Sequence, residues 1–254
     1  MKNGNKYFAL FVFLTLVTSF IVFFPINNVE AADAYAEFYP TDDTYIIHRS
    51  GETNENRGDF DFMEVEIYYG ASGIWGEDIL IKFDISSIPS DTKITSAKLN
   101  LYYHAYQTND PSGRELNIYR ATSDWNEDTV TWDTKPTYAS SHTSYAVVPS
   151  TTGEWMNWDV TNDVQDFIDG KYSNYGWKIS DDTYWGTVNI PVASFRTKEY
   201  SDYIPCLEIE IADVYVDDDA PSDWYDANHV KTIQEGIDNA SAGETVFVYT
   251  GLYQ

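Results

Sequence analysis

Residues 97–107, AKLNLYYHAYQ, alternate in character with a period of two. Ala97, Leu99, Leu101, Tyr103 and Ala105 share one face, and Lys98, Asn100, Tyr102, His104 and Tyr106 share the other. This period marks a half-buried strand, because successive side chains leave opposite faces of a sheet. With the leucines inward, Tyr102, His104 and Tyr106 point outward. Such a row stacks on flat apolar faces of a ligand and hydrogen-bonds at their edges. The same tyrosines also read as ordinary cross-strand partners or as side chains beneath a loop. Lys82 and Asp84 hold the outward parity of DILIKFDI (78–85) and would flank the row. Trp75, Tyr184 and Trp185, in Gly-flanked loops, are alternative platforms.

The charged residues suggest two further chemistries. Lys82, Lys98, Arg120, Arg196 and Lys198 could neutralise an acidic ligand, although any single one reads equally as a partner for the many carboxylates. The loops PTDDTY, NRGDFD and VDDDAPSD offer oxygen ligands for calcium from Asp42, Asp43, Asn56, Asp59, Asp61 and Asp217 to Asp219. None follows the helix-loop-helix calcium spacing, and 41 acidic residues also produce such clusters on a solvated surface. The signals for catalysis are weaker. His48, His104, His142 and His229 have no zinc-like spacing, and no nucleophile elbow, phosphate loop or dinucleotide fingerprint occurs. The acidic residues are too numerous to single out a catalytic pair. Cys206, the one cysteine, reads as a structural thiol beside the last strand and excludes an intramolecular disulfide.

A formal net charge of −26 sets nucleic acid and anionic membrane surfaces aside as partners. At the N-terminus, Lys2 and Lys6 precede an apolar run from 7 to 24, followed by Pro25 and NNVEA. This pattern predicts a secretory signal, residues 1–31, cleaved before Ala32; an uncleaved anchor is the rival reading. Either way the remainder lies outside the cell or on its surface.

Further strands are expected near residues 62–69, 79–85, 115–121, 144–148, 154–158, 177–180, 188–195 and 207–211. One short helix is expected around Val160, Val164, Phe167 and Ile168, with Thr161 as N-cap and Gly170 ending it. Many short strands with one helix predict an all-β antiparallel sandwich, a jelly roll, over residues 32–212. Residues 213–254 form a separate unit: a strand fragment, an acidic turn, a short helix with Ile233, Ile237 and Ala240 on one face, and a strand from Val246. It is too short to bury a core of its own.

DWNEDTVTWDTKP (124–136) resembles the DNRLRE domain family, also classed as carbohydrate-binding module family 96. So do DDTYI (42–46), NRG (56–58), LIKFDISSIPSDTKITSAKLNLYY (80–103), WDVTNDVQDFIDGKYSNYGWKI (158–179) and FRTKEYSDYIPCLEIEI (195–211). The family's Ser-Arg-Glu-like triplet reads Thr197, Lys198, Glu199 here. The resemblance implies a jelly-roll module that binds an extracellular or cell-wall polysaccharide, including uronic-acid polymers, without catalysis. With a sugar as the ligand, the outward, loop and cationic residues read above, Tyr102, His104, Tyr106, Lys82, Trp75, Trp185 and Arg196, are the expected contacts. Trp125 and Trp132 are then framework. Related sandwiches often hold structural calcium between their first and last strands, which points to Asp43 and Glu199. Two other readings stand beside this one: a structural envelope module with protein partners, and part of a polysaccharide-degrading enzyme. The tail resembles the entry segment and first coil of right-handed parallel β-helix proteins of the pectate-lyase-like and NosD-like class.

Overall fold

The computed structural model describes residues 35–70, 73–90, 92–107, 109–183, 191–240 and 244–253, without the side chains of 35, 68–70 and 73–75. The period-two segments become strands. These are β1 (Tyr35–Phe38), β2 (Pro40–His48), β3 (Phe62–Gly70), β4 (Gly73–Phe83), β5 (Ile94–Gln107), β6 (Glu115–Arg120), β7 (Ser144–Val147), β8 (Glu154–Asp159), β9 (Trp177–Ser180), β10 (Val192–Arg196) and β11 (Cys206–Ile211). All pair antiparallel in the order β1-β11-β5-β10-β3-β4-β9-β6-β7, with β2 added to β4 and β8 to β5. The expected sandwich is therefore one continuous sheet curled into a half-barrel. The change of direction falls in β3, which pairs with β10 through residues 62–65 and with β4 through 66–70.

Curling brings two apolar faces over one core. Leu99, Leu101 and Tyr103 of β5, Trp158 of β8 and Phe195 of β10 meet Ile79, Ile81, Leu116, Ile118 and Trp177. Both buried indole N–H groups are satisfied: Trp158 donates to the Leu116 carbonyl at 2.8 Å and Trp177 to Asp163 Oδ2 at 2.8 Å. Helix α1 (Thr161–Ile168) buries Val164, Phe167 and Ile168, and Gly170, at φ 68°, ends it as expected. The expected cap is displaced by one residue. Val160 is the N-cap, and Thr161 is drawn into the first turn because its hydroxyl accepts from the Ala97 N–H at 2.9 Å.

Residues 124–138 lie over one outer face of the sheet, where Trp125 and Val130 pack on Ile46 and Leu80. The NRG motif holds this loop down. Asn56 Nδ2 donates to the carbonyls of Glu127 at 2.6 Å and Val130 at 2.8 Å. Gly58 approaches so closely that a Cβ there would lie 2.8 Å from the Glu127 carbonyl oxygen. Trp132 stacks on His48 at 4.3 Å, so both tryptophans of the motif serve the framework.

Beyond Ala212, three short parallel strands, β12 (Val214–Val216), β13 (His229–Val230) and β14 (Val246–Val248), run in the order β13-β12-β14. Helix α2 (Ile233–Asn239) starts with a Thr232–Glu235 capping box. It turns Gly236 toward Val216 and Val246; of the expected apolar stripe Ala240 packs against this valine cluster, whereas Ile233 and Ile237 stay exposed. Only a glycine lets the helix sit this close to the valines. The unit meets the large sheet at Lys93, whose N–H donates to the Tyr215 hydroxyl at 3.2 Å and whose ammonium lies 4.9 Å from the Phe247 ring centre. Among the described residues no helix is long and apolar enough to cross a membrane. The expected signal segment lies outside the described residues.

Candidate functional site

Strand β5 runs through the middle of one wall, with β11 and β10 along one side and β8 along the other. Its register sets Tyr102 opposite Trp155, both on the outer face. Tyr203, from the turn before β11, lies flat on Tyr102 with ring centres 3.9 Å apart and planes 9° apart. Trp155 meets Tyr102 edge-on at 5.3 Å and lies 6.4 Å from Tyr203. Tyr102 is half-buried under this pair, whereas Trp155 is 44% and Tyr203 49% exposed. Tyr203 has φ 59°, and among the described residues no other non-glycine takes a positive value. An aromatic residue held in that region costs conformational energy, and such strain concentrates where a side chain is being aimed.

The same face carries cationic and polar neighbours. The Arg196 guanidinium, at the end of β10, lies 3.6 Å from the Tyr200 ring centre and 4.0 Å from Asp61. His104 is half-buried, and burial together with Arg196 pushes its imidazole down to about 4, against a smaller pull from Asp61. The ring is therefore neutral at physiological pH. Tyr106 is 48% exposed at the end of β5. Of the expected contacts, Tyr102, His104, Tyr106 and Arg196 thus belong to this wall.

Lys82 does not. Its ammonium donates to the Trp125 carbonyl at 2.9 Å, lies 3.4 Å from Asp42 and 3.5 Å from Asp124, and sits 5.1 Å from the Trp125 ring centre. The outward parity of β4 is covered by the 124–138 loop, so Lys82 anchors that loop instead of lining an open face. Asp84 accepts from the Ser86 N–H at 2.9 Å. Arg120 is engaged by Asp163 and by the Tyr172 ring. The Trp75 side chain, Tyr184 and Trp185 lie outside the described residues. A hollow of about 380 Å³ beside α1 is lined by Phe83, Ile88, Phe167 and Asn174, but its two phenylalanine rings are buried and present no stacking face.

Asp43 and Glu199, the expected calcium ligands, converge with Glu127, one oxygen of each lying within 4.8 Å of the others. Lys198 stands among them. Its ammonium contacts Glu127, lies 2.8 Å from Glu199 and 3.4 Å from Asp43, and its backbone N–H donates to Asp43 at 2.9 Å. Asp43 is fully buried. Burial outweighs Lys198 and pushes Asp43 and Glu127 each up to about 7. The Lys198 ammonium thus stands where the three carboxylates converge and takes the place a bound cation would have. Further along the β2–β4 ladder, burial and the neighbouring Glu64 and Glu66 push Glu77 up to about 8, although Arg49 bridges Glu77 and Glu66 at 3.3 and 3.2 Å. Cys206 is pushed up to about 11 by burial, which keeps it a thiol.

Two rings of the aromatic group were not among the expected contacts. Trp155 is legible by parity: in EWMNWD, Met156 and Trp158 take the inner face, so Trp155 must point out. Tyr203 sits in a turn with no periodicity, and only the tertiary fold brings it over Tyr102. No curated protein matches the chain. The model of carbohydrate-binding module family 96 matches residues 34–211, which contain the aromatic wall, the carboxylate cluster and the motif loop. The chain belongs to carbohydrate-binding module family 96.

Proposed function

We propose that the protein is a secreted or cell-surface, non-catalytic module that holds a polysaccharide on the outer wall formed by Tyr203, Trp155 and Tyr102. The observation that carries this reading is the exposed Tyr203–Trp155 pair seated on Tyr102, with Tyr203 held by a strained backbone. Sugar rings have apolar faces bordered by hydroxyls. Aromatic planes take the faces, while Arg196, His104 and Tyr106 supply polar contacts nearby. Arg196 also provides the charge needed if the chain contains uronic acids, offsetting repulsion from the acidic protein. Affinity electrophoresis through gels of uronic, amino-sugar and neutral polymers tests the reading. Wild type is expected to be retarded by at least one of them, and Tyr203→Ala to weaken that binding about tenfold or more, the typical cost of losing a stacking anchor. Unchanged retardation of Tyr203→Ala would count against the platform.

Two supporting assignments accompany this proposal. The Asp43, Glu127 and Glu199 carboxylates are a structural calcium site that Lys198 neutralises in the metal-free protein. The unit at 213–253 is the opening of a parallel β-helix, a reading supported by the in-register parallel pairing of β12 with β13 and β14. Its strands are two or three residues long and its buried valines are few, so limited proteolysis should remove it before the curled sheet is cut. Cleavage at equal rates in both parts would contradict that separation.

A further inference from the structure

The outer face of the other wall, formed by β7, β6 and β9, carries a second set of side chains suited to a sugar. In β7, Ala146 packs on the core, so Tyr145, 52% exposed, points outward. The strand registers set Tyr145 opposite Asn117 of β6 and Asn117 opposite Ser180 of β9, in one outward row. Asp182, just past β9, closes the row. Its carboxylate accepts from Asn117 Nδ2 at 2.7 Å, the Tyr119 hydroxyl at 2.5 Å and the Ser180 hydroxyl at 3.1 Å. Burial and the Asp182 hydrogen bond push the Tyr119 phenol above its ordinary range, so it stays a donor. Three uncharged donors thus fix an exposed carboxylate. A carboxylate offers about four acceptor positions, and an amide two N–H donors and a carbonyl oxygen. The Asn117 carbonyl oxygen, its second N–H and one position on Asp182 therefore have no partner among the described residues. Asp182 forms no ion pair among them either. Lys178, beside Tyr119, lies 3.8 Å from Asp78 and over the Tyr119 and Tyr138 rings.

Side chains directly opposite each other across two strands stand about 5 Å apart at Cβ, close to the span of one sugar ring. A ring stacked on Tyr145 thus brings its edge hydroxyls over Asn117 and Asp182, whose open oxygens accept from two neighbouring hydroxyls. An acidic sugar is repelled there by the unpaired carboxylate. Val147, two residues along β7 from Tyr145, lines one shallow hollow with Trp155, so a chain leaving the platform past Trp155 runs toward Tyr145. We propose that Tyr145, Asn117 and Asp182 form a distal subsite, which takes a neutral sugar unit with two adjacent free hydroxyls further along the glycan held on the Tyr203–Trp155 platform. This assignment rests on the platform reading. With a single ring the subsite is weak alone and acts by tethering: once the platform holds the chain, the distal unit binds as an intramolecular partner. Affinity therefore depends on glycan length.

Calorimetric titration of the full chain tests this with size-fractionated oligomers of xylan, glucomannan and polygalacturonate, graded from disaccharides to long chains. Wild type, Tyr145→Ala and Tyr203→Ala are compared. Tyr145 lies exposed on an edge strand, and an unchanged melting temperature verifies that its variant folds. Wild-type affinity is expected to rise about tenfold or more from short to long oligomers of at least one neutral series, the typical worth of one stacking anchor. Tyr145→Ala should remove that rise and leave the affinity for the shortest bound oligomers unchanged, whereas Tyr203→Ala should weaken binding at every length. On polygalacturonate, Tyr145→Ala should match wild type. If Tyr145→Ala follows wild type at every length while Tyr203→Ala is weakened, the distal subsite is overturned and the platform stands. Equal loss by Tyr145→Ala at the shortest and longest lengths would overturn its distal position, and a Tyr145-dependent rise on polygalacturonate alone would overturn the neutral occupant. If Tyr203→Ala binds as wild type does, the platform falls and the subsite with it. If none of the three series binds, the subsite also falls, and the platform is then judged on the broader polymer panel above.

Discussion

Replacing Lys198 with methionine should lower the melting temperature by about 10 °C, as read by circular dichroism in chelator. The side chain is the common cation of Asp43, Glu127 and Glu199, and Asp43 has no contact with solvent. Methionine keeps the packing of the aliphatic stem and deletes only the charge. Removing one member of a buried ion pair costs ~3–5 kcal/mol, because the remaining charge is stranded. Lys198 is partly exposed, which places the expected loss toward the lower end. In a domain of this size 1 kcal/mol corresponds to ~2–4 °C. A second substitution, Asp43→Asn, should recover much of the loss by removing the stranded charge. Millimolar calcium should recover it too if the site binds that ion, since a ligand bound only by the folded state adds stability. An unchanged melting temperature for Lys198→Met would show that the cluster does not need this cation. A normal loss with no response to calcium would remove the metal assignment alone.

Stability should also fall as pH rises from 5.5 to 8.5. Glu77 is pushed up to about 8, Asp43 and Glu127 to about 7 and Asp78 to about 6, in each case chiefly by burial. A carboxyl group whose folded value is raised holds its proton more firmly in the folded state than in the unfolded chain. Its stabilising effect is therefore fully present below the unfolded value and lost as pH rises through the folded one. His104, pushed down to about 4, acts in the opposite direction, because only the unfolded chain protonates it below about 6.5. His48, also held down by burial, acts in the same sense as His104. The four carboxyl groups outweigh the two imidazoles over this range, and a net drop of about 10 °C or more is expected. Glu77→Gln should flatten the alkaline part of the curve. A melting temperature that rises from pH 5.5 to 8.5 would mean these carboxyl groups are better neutralised than their surroundings imply.

The same physical distinction decides what the sequence made legible. Strands such as β5 and β9 could be located because one buried face imposes a two-residue period on their composition. The motif loop was legible as framework only through the family resemblance, which covers Trp125 and Trp132 together. Lys82 was misplaced because parity gives the face of a strand but not what covers that face, and here a loop some forty residues downstream covers it. The Tyr203–Tyr102 stack depends on a turn and a strand a hundred positions apart, a relation that no local pattern encodes. Asp43 and Glu199 were named from resemblance alone, and Glu127, which completes their cluster, comes from a third segment. In the helical stripe of α2, Ala240 packs inward but Ile233 and Ile237 do not, for a simpler reason. The sheet below it needed closer approach than isoleucine permits, so Gly236 took the inner position.

The central claim is that a polysaccharide is bound on the Tyr203–Trp155 face. Its most direct test is calorimetric titration of the strongest polymer ligand into wild type and into the Trp155→Ala/Tyr203→Ala double variant, with matched melting temperatures as the folding control. Measurable heat of binding to wild type and none to the double variant is the predicted result. Equal affinity of the two proteins would contradict it and move the site away from this wall.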